Sequence, residues 1–199
     1  MSQTSQSKNR GRPAAASRDD VLDAGLYRYL RGRRVDVQAI AAELGLGRAT
    51  IYRWFGSREK LLGEVVVRAT EPVLAEAGSG LSGKGGPGLL DTFDRFNRAL
   101  ADAPALRAFV EQERDAALRL IASGAGIVQP RMVELITGLI TDEVEAGTYE
   151  APVEPEILGY AIVKLAQAFL FNDRVAGIRG DVDRLRQVEA ALLGVPSQR

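Results

Sequence analysis

The octapeptide Arg48-Ala49-Thr50-Ile51-Tyr52-Arg53-Trp54-Phe55 carries the clearest chemistry in the chain. Wound as a helix, it turns Ile51 and Phe55, four residues apart, toward a core. Arg48, Ala49, Thr50, Tyr52 and Arg53 are then left to face outward. Such a face suits a nucleic-acid groove. Arg48 can present a forked donor to a guanine edge, Thr50 and Tyr52 can reach phosphates, and Arg53 can do either. Trp54 is placed at the groove edge or against a neighbouring element. Arg58 and Lys60 follow in the first turn of the next helix, where free backbone N–H groups also favour a phosphate.

Short helices must hold that face in place. Ser17, with Asp20 three residues on, opens a first helix with the stripe Leu22, Leu26 and Tyr29, and Gly32 ends it. Asp36 caps a second, in which Val37, Ile40, Ala41 and Leu44 recur at helical spacing until Gly45. A glycine-containing turn then leads into the octapeptide, which is the pattern of a helix-turn-helix. In that unit the second helix braces the third against the major groove. Ser57 caps a longer helix with Leu62, Val65, Val66, Ala69 and Val73 turned inward.

At these residues the sequence resembles the TetR family of bacterial transcriptional regulators. The carriers are Val37-Gln38-Ala39-Ile40-Ala41-Ala42-Glu43-Leu44-Gly45, then Thr50-Ile51-Tyr52-Arg53-Trp54-Phe55, then Gly56-Ser57-Arg58-Glu59-Lys60-Leu61-Leu62. Two departures stand out. Gly47 occupies the usual Ser or Thr N-cap of the recognition helix, and Arg58 stands where the family has Lys. The resemblance implies an all-α protein. A flexible basic arm (1–16) and a helix-turn-helix domain (17–62) would precede a ligand-binding and dimerisation body (63–199). Double-stranded operator DNA, a small-molecule inducer and a second copy of the chain are the implied partners.

Composition agrees with a soluble regulator and excludes much else. The 199 residues include no Cys and no His, which removes disulfides, thiolate nucleophiles, His-based catalysis and the commonest metal ligands. No cofactor or metal is expected, and no spaced acid–base pair suggests an enzyme. The 26 basic and 26 acidic residues cancel overall, yet residues 1–60 hold 12 of the basic and only 6 of the acidic ones. A basic head on an acidic body suits nucleic acid at one end only. The densest apolar stretch, Ile157 to Phe171, is interrupted by Lys164 and Gln167, short of the ~18 apolar residues of a membrane span. The N-terminus lacks the apolar core of a secretory signal, so a cytoplasmic location is expected.

Beyond the head the pattern stays helical, with elements over about 88–102, 104–122, 127–146, 155–172 and 181–193. Gly78 to Gly88 is glycine-dense and reads as a flexible connector. Gly78-Ser79-Gly80-Leu81-Ser82-Gly83 fits a dinucleotide-loop pattern, but a helix precedes it where a strand is required. Phe93, Phe96, Leu100, Phe109 and Val110 offer an aromatic and aliphatic pocket lining. Asn97, Glu113, Tyr149 and Gln167 are its candidate polar handles. Such a cavity suits an amphipathic molecule: an acyl chain, a lactone or an aromatic. The helix from Ile157, apolar on nearly all sides, and the last helix (Val182, Leu185, Val188, Leu192) are expected to pair with their copies in a dimer.

The arm holds Arg10-Gly11-Arg12-Pro13, which resembles an AT-hook core, with Arg10 and Arg12 suited to a narrow A·T-rich minor groove. A plain soluble tail is the alternative. Two other functions fit the same residues: a helical small-molecule carrier, and a nucleoid-type DNA binder without operator preference.

Overall fold

A computed structural model describes residues 16–79, 84–122, 124, 126–171 and 181–196. Every regular element among them is a helix. Three short helices form the head: α1 (Arg18–Leu30), α2 (Val37–Glu43) and α3 (Arg48–Phe55). α1 opens with a capping box, in which Ser17 and Asp20 satisfy each other's backbone N–H groups. α2 opens where Asp36 accepts from the Ala39 N–H at 2.8 Å. α3 has no side-chain cap, since Gly47 precedes it, and Gly56 at φ +80 turns the chain out of it.

α4 (Arg58–Gly78) is the longest helix and belongs to both halves of the molecule. Its first turns bury Leu61, Leu62 and Val65 against the head, with α1 approaching so closely at Gly25 that an added Cβ would lie 2.8 Å from Val65 Cγ2. Farther along, Ala69 and Val73 are only partly buried, and Leu74 and Ala77 carry the core contacts. Two features perturb this stretch. Thr70 Oγ1 donates to the Val66 carbonyl at 2.7 Å, and Pro72 inside the helix can offer no N–H to the carbonyl four residues back.

The body follows as α5 (Gly85–Asp102), α6 (Pro104–Gln112), α7 (Arg114–Ala122), α8 (Val128–Glu145), α9 (Pro155–Phe171) and α10 (Val182–Leu193). One apolar cluster runs continuously from Val21 in the head to Leu193 in the body. α8 and α9 meet at Gly159, where a Cβ would fall 2.3 Å from Thr137 Oγ1 and 3.1 Å from the Thr137 backbone.

Two expectations require correction. The segment 104–122 is two helices, because Glu113 leaves helical geometry at φ −136, ψ 51. Backbone bonding nearly survives the break: Glu113 N–H donates to Phe109, and its carbonyl accepts from Ala117. The glycines at 85, 86 and 88 are not a connector but the buried first turn of α5. A Cβ on Gly85 would lie 2.2 Å from the Thr148 carbonyl, and one on Gly86 2.4 Å from Val195 Cγ1, so both glycines serve close approach. Residues 80–83 lie outside the described residues. On α10 the side chains buried within the chain include Leu185, Glu189, Ala190 and Leu193, while Val188 of the stripe expected to pair in a dimer is exposed.

Candidate nucleic-acid interface and buried cavity

The head presents α3 as the sequence pattern requires. Ile51 and Phe55 are buried, while Arg48, Ala49, Tyr52 and Arg53 are exposed on the opposite side. Thr50 is half-buried, and Trp54 packs its partly covered ring against the core. Lys60 is exposed, with its stem near Gly56 at the end of α3. Arg10 and Arg12 lie outside the described residues. Ion pairs brace the platform: Arg28 reaches Glu43 at 2.9 Å, linking α1 to α2. Arg18 pairs with Glu64 of α4 while its guanidinium lies 4.4 Å from the Phe55 ring centroid.

Arg58 does something other than the sequence suggests. It is turned away from the α3 surface, with Nε donating to the Val35 carbonyl at 2.8 Å and Nη2 to Glu113 Oε1 at 2.6 Å. Arg34 approaches the other Glu113 oxygen at 3.5 Å. Gln112 donates to the Gly32 carbonyl at 2.9 Å, and Phe109 meets Tyr29 edge-on with centroids 6.1 Å apart. The end of α6 thus clamps the α1–α2 loop and the start of α4. A guanidinium satisfied twice at a part-buried seam is poorly placed to leave for a phosphate.

The body holds a cavity of about 70 Å³. Five of the residues expected to line a pocket do border it: Phe93, Phe96, Asn97, Leu100 and Gln167. The other four lie elsewhere. Phe109 and Glu113 belong to the seam with the head, Val110 lines a neighbouring cleft that shares Leu100, Leu106, Leu170 and Phe171 with the cavity, and Tyr149 donates its hydroxyl to the Leu193 carbonyl at 2.8 Å. α4 supplies Val66 and Thr70 to the wall, α8 supplies Val128, Met132 and Ile136, and α9 supplies Ile162 and Val163.

Few polar groups reach this apolar enclosure. Gln167 is spoken for, its amide donating to the Ile121 carbonyl at 2.7 Å and its oxygen facing Lys164. Asn97 donates to Glu189 Oε1 at 2.9 Å. Glu189 itself was not singled out from sequence, although a signal existed: it stands four residues after Leu185 and four before Leu193, in the buried register of α10. Its complete burial pushes its carboxyl up from 4.5 to about 8, outweighing the Asn97 hydrogen bond.

Among the described residues no group of acidic side chains could hold a metal ion, and no helix is long and apolar enough to cross a membrane. Comparison with known proteins follows the same division. Residues 29–65 match the family model for bacterial regulatory proteins of the tetR family, and residues 84–194 match the tetracyclin repressor-like C-terminal domain. Among solved structures the chain is similar to the transcriptional repressor QsdR of R. erythropolis. The two are 31% identical over 92% of this chain and 96% of that one, with a TM-score of 0.80. The TetR family repressor AlkX of Dietzia sp. strain DQ12-45-1b shares the fold at 22% identity, with 92% and 98% of the two chains covered and a TM-score of 0.62. No curated protein matched. The model for the C-terminal domain spans more than half of the chain, the helix-turn-helix precedes it, and the likeness to QsdR runs nearly end to end. The chain therefore belongs to the TetR family of transcriptional regulators, which bind DNA and are not enzymes.

Proposed function

We propose that this protein is a homodimeric repressor released from its operator by a small amphipathic molecule held in the body cavity. One observation carries the reading: a single helix, α4, packs against the DNA-facing head at one end and lines the cavity with Val66 and Thr70 farther along. A ligand that binds better when the cavity is enlarged shifts the population toward that state, and the head moves with α4. The division of labour lies near the start of α4, with residues 17–62 reading DNA and 63–199 sensing ligand and dimerising. The 31% identity to a repressor over nearly the whole chain supports the sign of regulation.

On DNA, Arg48 and Ala49 face base edges, while Thr50, Tyr52, Arg53 and Lys60 contact the flanking phosphates and sugar. Trp54 stays a brace. Arg10 and Arg12 in the preceding arm enter the adjacent minor groove. For dimerisation, Ile157 and Tyr160 on α9 and Val188 on α10 are large apolar side chains left exposed at 55%, 50% and 38%. A second copy covers them.

Selection of bound genomic fragments by the purified protein, repeated with candidate ligands, tests the function. Enrichment of a two-fold symmetric sequence that a ligand abolishes is expected, whereas binding without sequence preference would make it a nucleoid-type protein. Val188→Asp should halve the sedimenting mass and weaken operator binding. An unchanged mass for the parent and variant would remove α10 from the interface.

A further inference from the structure

The two carboxyl oxygens of Glu189 are in different situations. Asn97 Nδ2 donates to Oε1 at 2.9 Å, whereas Oε2 is buried without a hydrogen-bond partner among the described residues. The cations around it are committed elsewhere. On the same helix, Arg186 pairs with Asp91 at 2.7 Å and lies 3.5 Å from Asp94. From α5, Arg98 meets Asp94 at 3.0 Å and Asp183 at 2.5 Å. On α9, Lys164 donates to Gln129 at 2.6 Å and faces Gln167 at 3.4 Å. Two guanidiniums thus already serve three carboxylates, and Arg186, whose Nε is buried without a hydrogen-bond partner, offsets a charge on Glu189 only in part. A proton neutralises it, in keeping with its upward displacement to about 8. The protonated carboxyl then accepts from Asn97 through Oε1 and carries on Oε2 a hydrogen with no acceptor, at the edge of an apolar cavity.

The geometry points to Glu189 as the anchor for the polar end of the cavity's ligand, a neutral and largely apolar molecule bearing one carbonyl-type hydrogen-bond acceptor. This rests on the reading of the cavity as the ligand site. The wall excludes the charged alternatives. An ammonium group would have to lose its hydration against Phe93, Phe96, Met132 and Ile162, at far greater cost than a carbonyl. A carboxylate would likewise lose its hydration, beside two guanidiniums that already serve three carboxylates. At about 70 Å³ the cavity has room for only about two waters at ~30 Å³ each, so the ligand is small or widens the cavity as it enters.

Three probes of equal chain length separate these cases on the full-length protein: 2-heptanone, heptylammonium and heptanoate, each followed by the rise in melting temperature. 2-Heptanone should give the largest rise. Glu189→Met should weaken its binding about tenfold, as expected when one hydrogen bond to a buried group is lost. Glu189→Gln keeps a donor at the same place and should retain binding. Affinity for 2-heptanone should fall between about pH 7 and about pH 9 in the parent, as Glu189 gives up its proton, and should not fall in Glu189→Gln. That comparison decides the matter alone if Glu189→Met does not fold. Equal binding by Glu189→Met, a pH-independent parent, or a larger rise with heptylammonium overturns the role of Glu189 while leaving the cavity a ligand site. No rise with any probe overturns the cavity reading and this assignment with it.

Discussion

Arg58 and Glu113 join across the seam between head and body at 2.6 Å, with only 18% and 13% of their side chains exposed. The pair places Arg58 among the positioning residues rather than the phosphate contacts. Arg58→Ala should therefore leave the salt dependence of DNA binding unchanged, whereas exposed Lys60→Ala should make the slope shallower by about one. Either Arg58→Ala or Glu113→Ala should lower stability by about 1–3 kcal/mol through the charged group left unpaired, and the double variant should lose less than their sum. Anisotropy titrations at several salt concentrations and urea unfolding measure these effects. A shallower slope for Arg58→Ala would restore it to the DNA surface.

Within α3 the exposed side chains should separate by role. Arg48→Ala should cost about 1–3 kcal/mol on the operator and relax preference at one base position. Tyr52→Ala should weaken operator and random duplex by similar factors, as loss of a backbone contact does. Competition binding with a panel of single-base operator variants checks the contrast, and equal behaviour of the two variants would contradict it.

The crossing of α8 and α9 should tolerate no added methyl group. Gly159→Ala places its Cβ against both the hydroxyl and the backbone of Thr137, and overpacking of this kind costs about 1–3 kcal/mol. Adding Thr137→Ala removes the hydroxyl contact but not the backbone one, so stability should return only in part. Thermal melting of the two variants reads both effects.

Glu189 should also set a pH dependence of stability without any ligand. Its folded-state value is raised from 4.5 to about 8, so the unfolded chain releases this proton first. The contribution is complete below about pH 4.5, declines as pH rises, and is gone above about pH 8. Glu189→Gln should flatten that decline. Glu143 acts in the opposite sense, because Thr148 and the Gly85 N–H hold its carboxyl below the usual range, so its contribution disappears on acidification. Urea unfolding across this range, in the parent and in Glu189→Gln, separates the two.

Legibility from sequence followed how local each determinant is. Helices α1 to α4 have caps, stop signals and periodic stripes within a few residues, so Ser17, Asp36, Gly56 and Ser57 announced them. The break at Glu113 has no glycine or proline to announce it. It comes with an ion pair to Arg58, 55 residues away in sequence. Gly85 and Gly86 looked like a linker because glycine serves both freedom and close approach, and only the neighbours Thr148 and Val195 distinguish the two. The inner wall of the cavity was half visible. Asn97 and Gln167 interrupt apolar stripes in plain view, whereas Glu189 is a charged residue whose burial depends on neighbours distant in sequence, such as Asn97.

From Leu62 in the head to Thr70 beside the cavity, α4 advances only about 12 Å at 1.5 Å per residue. The reading surface and the chamber thus share a strut barely two turns long, too short to absorb a tilt within itself. Under the proposed function, swelling of the chamber would emerge as reorientation of the head, with the stretch around Thr70 and Pro72 as the fulcrum.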